Sequence, residues 1–222
     1  MYHKVHEPFE LDKWSAAAGS KTARRRPVTE FRKLNAKHDP TARLGAIRQL
    51  GYVVENLDRA VEAWSKGLGV GPWTVIRNIP LHSSYRGALS QPLIDIALAY
   101  RGDLQIELIK QNNDAPSPYR PFIERGHYGL HHTAFVSEQI HDDVRQLQQA
   151  GLSLVCDINM PTGGRYVYFQ SPVPGEQTFI ELLEATPAMR RMFEQGIAAA
   201  AGWDGSSPPT VIDFAAMAQA SR

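Results

Sequence analysis

The chain has 222 residues, 43% of them hydrophobic and 21% charged, and its formal charge of +1 gives no general attraction for nucleic acid or a membrane surface. A lone cysteine, Cys156, excludes an intrachain disulfide, and no apolar run reaches the roughly 18 residues that a spanning helix needs. With no signal-peptide core at the start, a cytoplasmic protein that binds a small molecule, and neither nucleic acid nor membrane, is the expectation.

Residues 1–44 read as an arm. They are polar and carry ten Lys/Arg against five Asp/Glu, whereas the remainder carries fourteen against eighteen. The run Arg24-Arg25-Arg26-Pro27 has two readings, a phosphate contact or a solvated tail, and the tail is the commoner meaning of a block of like charge. Trp14 and Phe31 are candidate anchors for the arm.

Residues 45–54 have the pattern of a strand. Asn56 and Asp58 then open a helix, as an N-cap and a first-turn acid should. Leu57, Ala60, Val61 and Trp64 form its apolar face, and Gly67 and Gly69 stop it. Residues 72–76 predict a second strand, 78–92 a loop with Pro80, Gly87 and Pro92, and 93–100 and 104–110 two more strands joined at Arg101-Gly102-Asp103. Three prolines mark 111–128 as a connector with at most a helical turn or two. The pattern then recurs: a strand over 129–136, a helix over 138–150 closed by Gly151, and strands near 152–156, 165–169 and 178–184. Pro187 opens a helix over 187–201, and a short final helix is expected over 211–220.

The recurrence is an internal repeat. Gln49-Leu50-Gly51-Tyr52-Val53-Val54 aligns with His132-Thr133-Ala134-Phe135-Val136-Ser137 at an offset of 132 − 49 = 83, and the helix positions Leu57, Val61 and Trp64 fall on Ile140, Val144 and Leu147. Ile106-Glu107-Leu108-Ile109 reappears as Ile180-Glu181-Leu182-Leu183 at an offset of 181 − 107 = 74. The chain thus divides into an arm (1–44), a βαβββ module (45–110), a connector (111–128), a second βαβββ module (129–185) and a C-terminal helix and tail (186–222). The fold class is α+β, with two modules forming a cupped mixed sheet.

Two such modules, carrying Gly129-Leu130-His131-His132 in one and an Ile-Glu-Leu strand in both, resemble the vicinal oxygen chelate superfamily, which includes glyoxalase I, methylmalonyl-CoA epimerase, extradiol dioxygenases and bleomycin-resistance proteins. In that superfamily the first and last strands of each module supply one metal ligand apiece. The resemblance implies Gln49 and Glu107 from the first copy and His132 and Glu181 from the second. His132 is preferred over His131 because it aligns with Gln49, and because strand neighbours face opposite sides, so that only one of the two should enter the cup.

One imidazole, two carboxylates and an amide oxygen suit an octahedral divalent ion such as Zn²⁺, Ni²⁺, Mn²⁺, Co²⁺, Fe²⁺ or Mg²⁺. The absence of thiolate opposes a closed structural zinc site. The resemblance implies an isomerase, epimerase or lyase that moves a proton beside a carbonyl of a small molecule or acyl thioester, with Glu181 as base and Glu107 as its counterpart, in a homodimer. Lys110-Gln111 and Val53 depart from the glutathione-contacting pattern of glyoxalase I. The double histidine looks more like the epimerase branch. Two alternatives stay open: an extradiol-type dioxygenase, opposed by Gln49, and a metal-free binding protein of the resistance type. Tyr166 and Tyr168 share a strand face and either line the cup or cover its outside. His82, Ser83, Tyr85 and Arg86 are expected in a surface loop.

Overall fold

The computed structural model describes residues 44–160, 163–171, 177–214 and 216. Apart from Leu44, the expected arm with Trp14, Arg24, Arg25, Arg26 and Phe31 lies outside the described residues, and so does the end of the expected final helix.

The first module starts with β1 (Ile47–Val53), α1 (Leu57–Leu68) and β2 (Thr74–Pro80). The hairpin β3 (His82–Tyr85) and β4 (Ala88–Ser90) follows, and then β5 (Leu93–Arg101) and β6 (Leu104–Gln111). A short helix α2 (Arg120–Glu124) precedes the second module: β7 (Gly129–Ser137), α3 (Ile140–Gln149), β8 (Leu154–Asn159), β9 (Arg165–Gln170) and β10 (Phe179–Glu184). The chain continues into α4 (Pro187–Ala201) and β11 (Thr210–Asp213).

The eleven strands of the described residues lie in one sheet, in the order β11-β2-β5-β6-β1-β7-β10-β9-β8-β3-β4. Each module has its first and last strands side by side and parallel, β1 with β6 and β7 with β10. The modules meet where β1 and β7 run antiparallel at the middle of the sheet. This is an approximate two-fold arrangement, as a duplicated unit should give.

Local sequence accounts for the helices. The Asn56 side chain accepts the backbone N–H of Arg59, and Gly69 ends α1 in the left-handed region at φ 61°. Leu57 and Val61 of α1 pack on Val75, Ala97, Ile106 and Leu108 of one half of the sheet. Ile140, Val144 and Leu147 of α3 pack on Val167, Phe169 and Leu182 of the other. The opposite face of the sheet carries a second core of Ile79, Leu81, Ile94, Ile96, Leu98, Ile158, Tyr168 and Phe179. No helix among the described residues is long and apolar enough to cross a membrane.

Two expectations are corrected. Residues 78–92 are not a loop. β2 runs on past an irregularity at Ile76–Ile79, and β3 and β4 are joined by Arg86-Gly87. Both of these residues have positive φ, 49° and 83°, as the first-choice two-residue hairpin turn requires. Gly87 therefore marked a tight turn rather than an open connection. The other correction is at 210–213, where a strand replaces the start of the expected helix and pairs in parallel with the edge of β2. Thr210, Val211 and Ile212 are β-branched, and a sheet edge with unpaired N–H and C=O groups is a ready partner for such a segment.

The β2–β3 path also curls the sheet. β2 lies next to one end, yet one residue later β3 pairs with β8 near the other end. The sheet bends until its two sides approach, and its second core becomes the lining of a half-barrel. Helix α4 closes against it, with Met189 and Phe193 on Tyr100, Ala134 and Leu183.

That closure makes a prediction. A Cβ added to Gly196 would stand 2.0 Å from the Tyr100 ring. In a helix alone Gly→Ala stabilises, but here the clash should win. Gly196→Ala should lower the unfolding free energy by about 1–2 kcal/mol, read from urea denaturation. A stabilised variant would contradict the packing of α4 on β5.

Candidate metal centre

Alternation along each strand decides which side chains enter the half-barrel. Leu50, Tyr52, Ile106 and Leu108 pack outward beneath α1, so Gln49, Gly51, Gln105 and Glu107 face inward. In β10 Ile180 and Leu182 pack beneath α3, which turns Glu181 and Leu183 inward. Tyr166 and Tyr168 face the inside too, and line the cavity rather than cover its outside.

The registers arrange the inward groups in two rows across the joint between modules. Glu107, Gly51 and His132 are lateral neighbours in one. Gln49, Ala134 and Glu181 are neighbours in the other. Each row has a small residue in the middle, and 134 − 51 = 83 is the offset of the repeat. A Cβ on Gly51 would lie 1.9–2.5 Å from atoms of the His132 imidazole, so the ring rests directly on that glycine.

The structure brings the four predicted side chains together. His132 Nε2 lies 3.0 Å from Glu181 Oε2, 3.1 Å from Gln49 Oε1 and 3.5 Å from Glu107 Oε2. One ligand atom from each of Glu107, His132 and Glu181 can be chosen so that all lie within 4.8 Å of one another. Gln49, His132 and Glu181 are buried, while the Glu107 side chain keeps 13% of its surface exposed.

The expectation that only one histidine enters is overturned. Gly51 pairs with His132, but Tyr52 pairs with Leu130, so His131 is an extra residue bulged out of the ladder. The bulge breaks the alternation and both rings are fully buried. His131 packs among Tyr119, Phe122 and Phe179. Arg48 occupies the matching irregularity on β1, again at an offset of 83 (131 − 48 = 83).

Two chains of hydrogen bonds fix the polarity of the site. The Pro118 carbonyl can only accept, so His131 Nε2, 3.1 Å away, carries the hydrogen. His131 is held neutral, its pKa well below the ordinary value because of burial first and the neighbouring His132 second. Its Nδ1 must therefore accept from His132 Nδ1 at 3.0 Å, which leaves His132 Nε2 as the nitrogen that points at the carboxylates. On the other side, Tyr100 donates to the Met192 carbonyl at 3.3 Å and accepts from Gln105 Nε2 at 2.5 Å. Gln105 Oε1 then accepts from Gln49 Nε2 at 2.7 Å, which leaves Gln49 Oε1 facing His132.

Three oxygens and one imidazole nitrogen thus aim lone pairs at one place. They repel one another unless a positive charge stands among them. A proton on His132 Nε2 is one such charge. Burial opposes it, but Glu181 and Glu107 outweigh burial and carry the His132 pKa up to about 9. Burial likewise raises the Glu107 pKa, against the pull of His132. One N–H cannot serve three oxygens, however, and apart from its 3.0 Å approach to His132 Nε2 the buried Glu181 Oε2 has no partner. A divalent cation would satisfy all four donors at once. The donor set fits such an ion, and residues Gln49, Glu107, His132 and Glu181 could hold it.

Sequence reasoning missed the supporting residues. Gln105 was reachable, since it lies two positions before Glu107 on the same strand face. Gly51 was reachable through its alignment with Ala134. The role of His131 depends on a bulge, and Tyr100 and Pro118 enter only through tertiary contacts.

Residues 48–169, more than half of the chain, match the Glyoxalase/Bleomycin resistance protein/Dioxygenase superfamily, and the chain belongs to it. Its structure is similar to a hypothetical protein from Bacillus halodurans at 16% identity, covering 64% of this chain and 94% of that one, with a TM-score of 0.49. It is similar to methylmalonyl-CoA epimerase from Mycobacterium tuberculosis at 21% identity, covering 70% and 99%, with a TM-score of 0.47. A Streptomyces coelicolor methylmalonyl-CoA epimerase variant in complex with 2-nitronate-propionyl-CoA is similar at 16% identity, covering 65% and 96%, with a TM-score of 0.42. No curated protein sequence matches the chain.

Two predictions follow from the geometry. Gly51→Ala should push the His132 ring aside and weaken divalent-metal binding by about 10- to 100-fold in a metal titration, whereas wild-type affinity would refute the placement of the ring. The second concerns pH. His132 has a folded pKa of about 9 against an ordinary 6.5, so its contribution is complete below pH 6.5 and lost as pH rises through 9. Glu107, also raised, acts in the same direction. Chelator-treated protein should therefore lose up to about 3 kcal/mol of stability across that window, and a flat profile of urea midpoints would show that His132 is not the proton holder.

Proposed function

We propose that this protein is a divalent-metal-dependent enzyme of the isomerase and epimerase type, which moves a proton at a carbon beside a carbonyl group. The observation that supports it is the convergence of Gln49, Glu107, His132 and Glu181 on one point, with Gln49 and both carboxylates lining the cavity. In this reading the four side chains hold the ion, drawn from Zn²⁺, Ni²⁺, Mn²⁺, Co²⁺, Fe²⁺ or Mg²⁺. When bound, such an ion withdraws electron density from a carbonyl oxygen and acidifies the neighbouring C–H.

The chain's own groups carry the proton. Glu181 Oε2 is the base, because it is buried and faces the cavity, and it acts when substrate displaces it from the ion. It takes the proton from the carbon and becomes a carboxylic acid. Glu107, where burial favours the protonated form, stands on the other side of His132, receives that proton from Glu181 and returns it to the opposite face. Because one proton passes from carbon to Glu181, to Glu107 and back to carbon, both carboxylates are regenerated in each turnover. The apolar walls around them keep bulk water away from the transferred proton.

The test is hydrogen exchange. Metal-loaded protein should exchange the carbon-bound hydrogen of an acyl-CoA or 2-oxo compound for deuterium in D₂O, and chelated protein should not. Glu181→Gln should keep the metal and lose exchange by at least about 100-fold. Full exchange with metal retained in that variant would remove Glu181 as the base. Failure of the purified protein to take up any divalent ion would remove the whole reading.

A further inference from the structure

The cavity beside the four donors has a volume of about 280 Å³, just below the usual range of ligand pockets, so it holds one compact group. Its walls include Ile76, Ile79, Leu81, Ile96, Leu98 and Met192. Among the described residues that line it, none is Lys, Arg or His. The carboxylates present, Glu107 and Glu181, are the ones already assigned to the ion.

We infer that the group which enters this cavity is an uncharged, mostly apolar carbonyl compound, and that carboxylates and phosphates are rejected from it. The inference rests on the proposed metal reading and names the substrate class for that same site. The reason is charge balance. Two carboxylates offset a divalent cation, and the Gln49 amide and the neutral His132 ring add nothing. A neutral ligand keeps the cluster neutral. Transfer of its proton to Glu181 moves charge only within the cluster, so no counter-ion has to enter an apolar chamber. An anionic ligand would add a charge that no basic side chain of the described lining could meet, and an unpaired charge in apolar surroundings is strongly disfavoured.

The cavity also has a neutral polar handle. The hydroxyls of Tyr119 and Tyr168 lie 3.1 Å apart, and both residues line the chamber. Two hydroxyl hydrogens and one mutual bond leave one hydrogen to donate. Burial holds both phenols protonated, their pKa values well above the ordinary range. Such a donor suits a carbonyl or hydroxyl oxygen. It offers no cation for a carboxylate.

A matched pair of ligands tests this on the metal-loaded full chain. 1-Phenylpropane-1,2-dione and benzoylformate share a ring and two adjacent oxygens, and differ in the carboxylate. Calorimetric titration should show the dione binding at least about tenfold tighter, which is one decade of affinity. Equal or tighter binding of benzoylformate would overturn the inference, and so would failure of both to bind. Met192 sits half-buried on the lining, and Met192→Lys adds the missing cation without touching the four donors. That variant should move the preference toward benzoylformate by at least about fivefold, and an unchanged ratio would show that the lining does not set it. Because the titration reads binding alone, the two readings separate. Dione preference without deuterium exchange leaves the ligand class standing and removes the proton transfer. Exchange with preferred benzoylformate does the reverse.

Discussion

The site is governed by a repulsion. Gln49 Oε1 and an oxygen each of Glu107 and Glu181 lie 3.0–3.5 Å from His132 Nε2. Two backbone carbonyls, of Pro118 and Met192, set which atoms point inward, because a carbonyl can only accept and the hydrogens of each relay must run toward it. Four electron-pair donors in an apolar chamber favour a positive charge among them, and the two relays fix the inward atoms of His132 and Gln49. The raised basicity of His132 is the same requirement met by a proton.

The chamber makes that requirement strict. If the sheet were open, water would hydrate the carboxylates and the four groups could drift apart. The near-continuous path from β2 into β3 joins opposite sides of the sheet, and α4 covers the inside. Apolar surface that would otherwise face solvent becomes the wall of a cavity. The low polarity of this wall strengthens every electrostatic interaction at the donors. Fold and chemistry are thus linked through one hairpin that propensity alone does not place.

Much of this was legible in the sequence, for a physical reason. Strand and helix periods recur at fixed offsets, and a repeat of apolar positions fixes which faces are buried. Gln49, Glu107, His132 and Glu181 follow from alignment of the two copies together with the superfamily resemblance, and the structure brings them together. What stayed hidden depends on exceptions to the periods. His131 enters the interior through a bulge. β3 and β4 were masked by turn residues that sequence reading takes for a loop, since Gly87 serves a tight hairpin and an open connection equally well. β11 is short and exposed, and its state is decided by the free edge of β2 rather than by its own residues. Partners of the second relay, Tyr100 and Met192, meet only across α4.

The pairing of Gly51 with His132 and of Ala134 with Gln49 bears on how such a duplicated protein can change. At Gly51 the first half lends the second the empty space into which the His132 donor fits. The first half cannot enlarge Gly51 without evicting the His132 ring, a donor that belongs to its twin. A change at Gly51 is therefore judged by the opposite half of the sheet, because the side chain it displaces is rooted there.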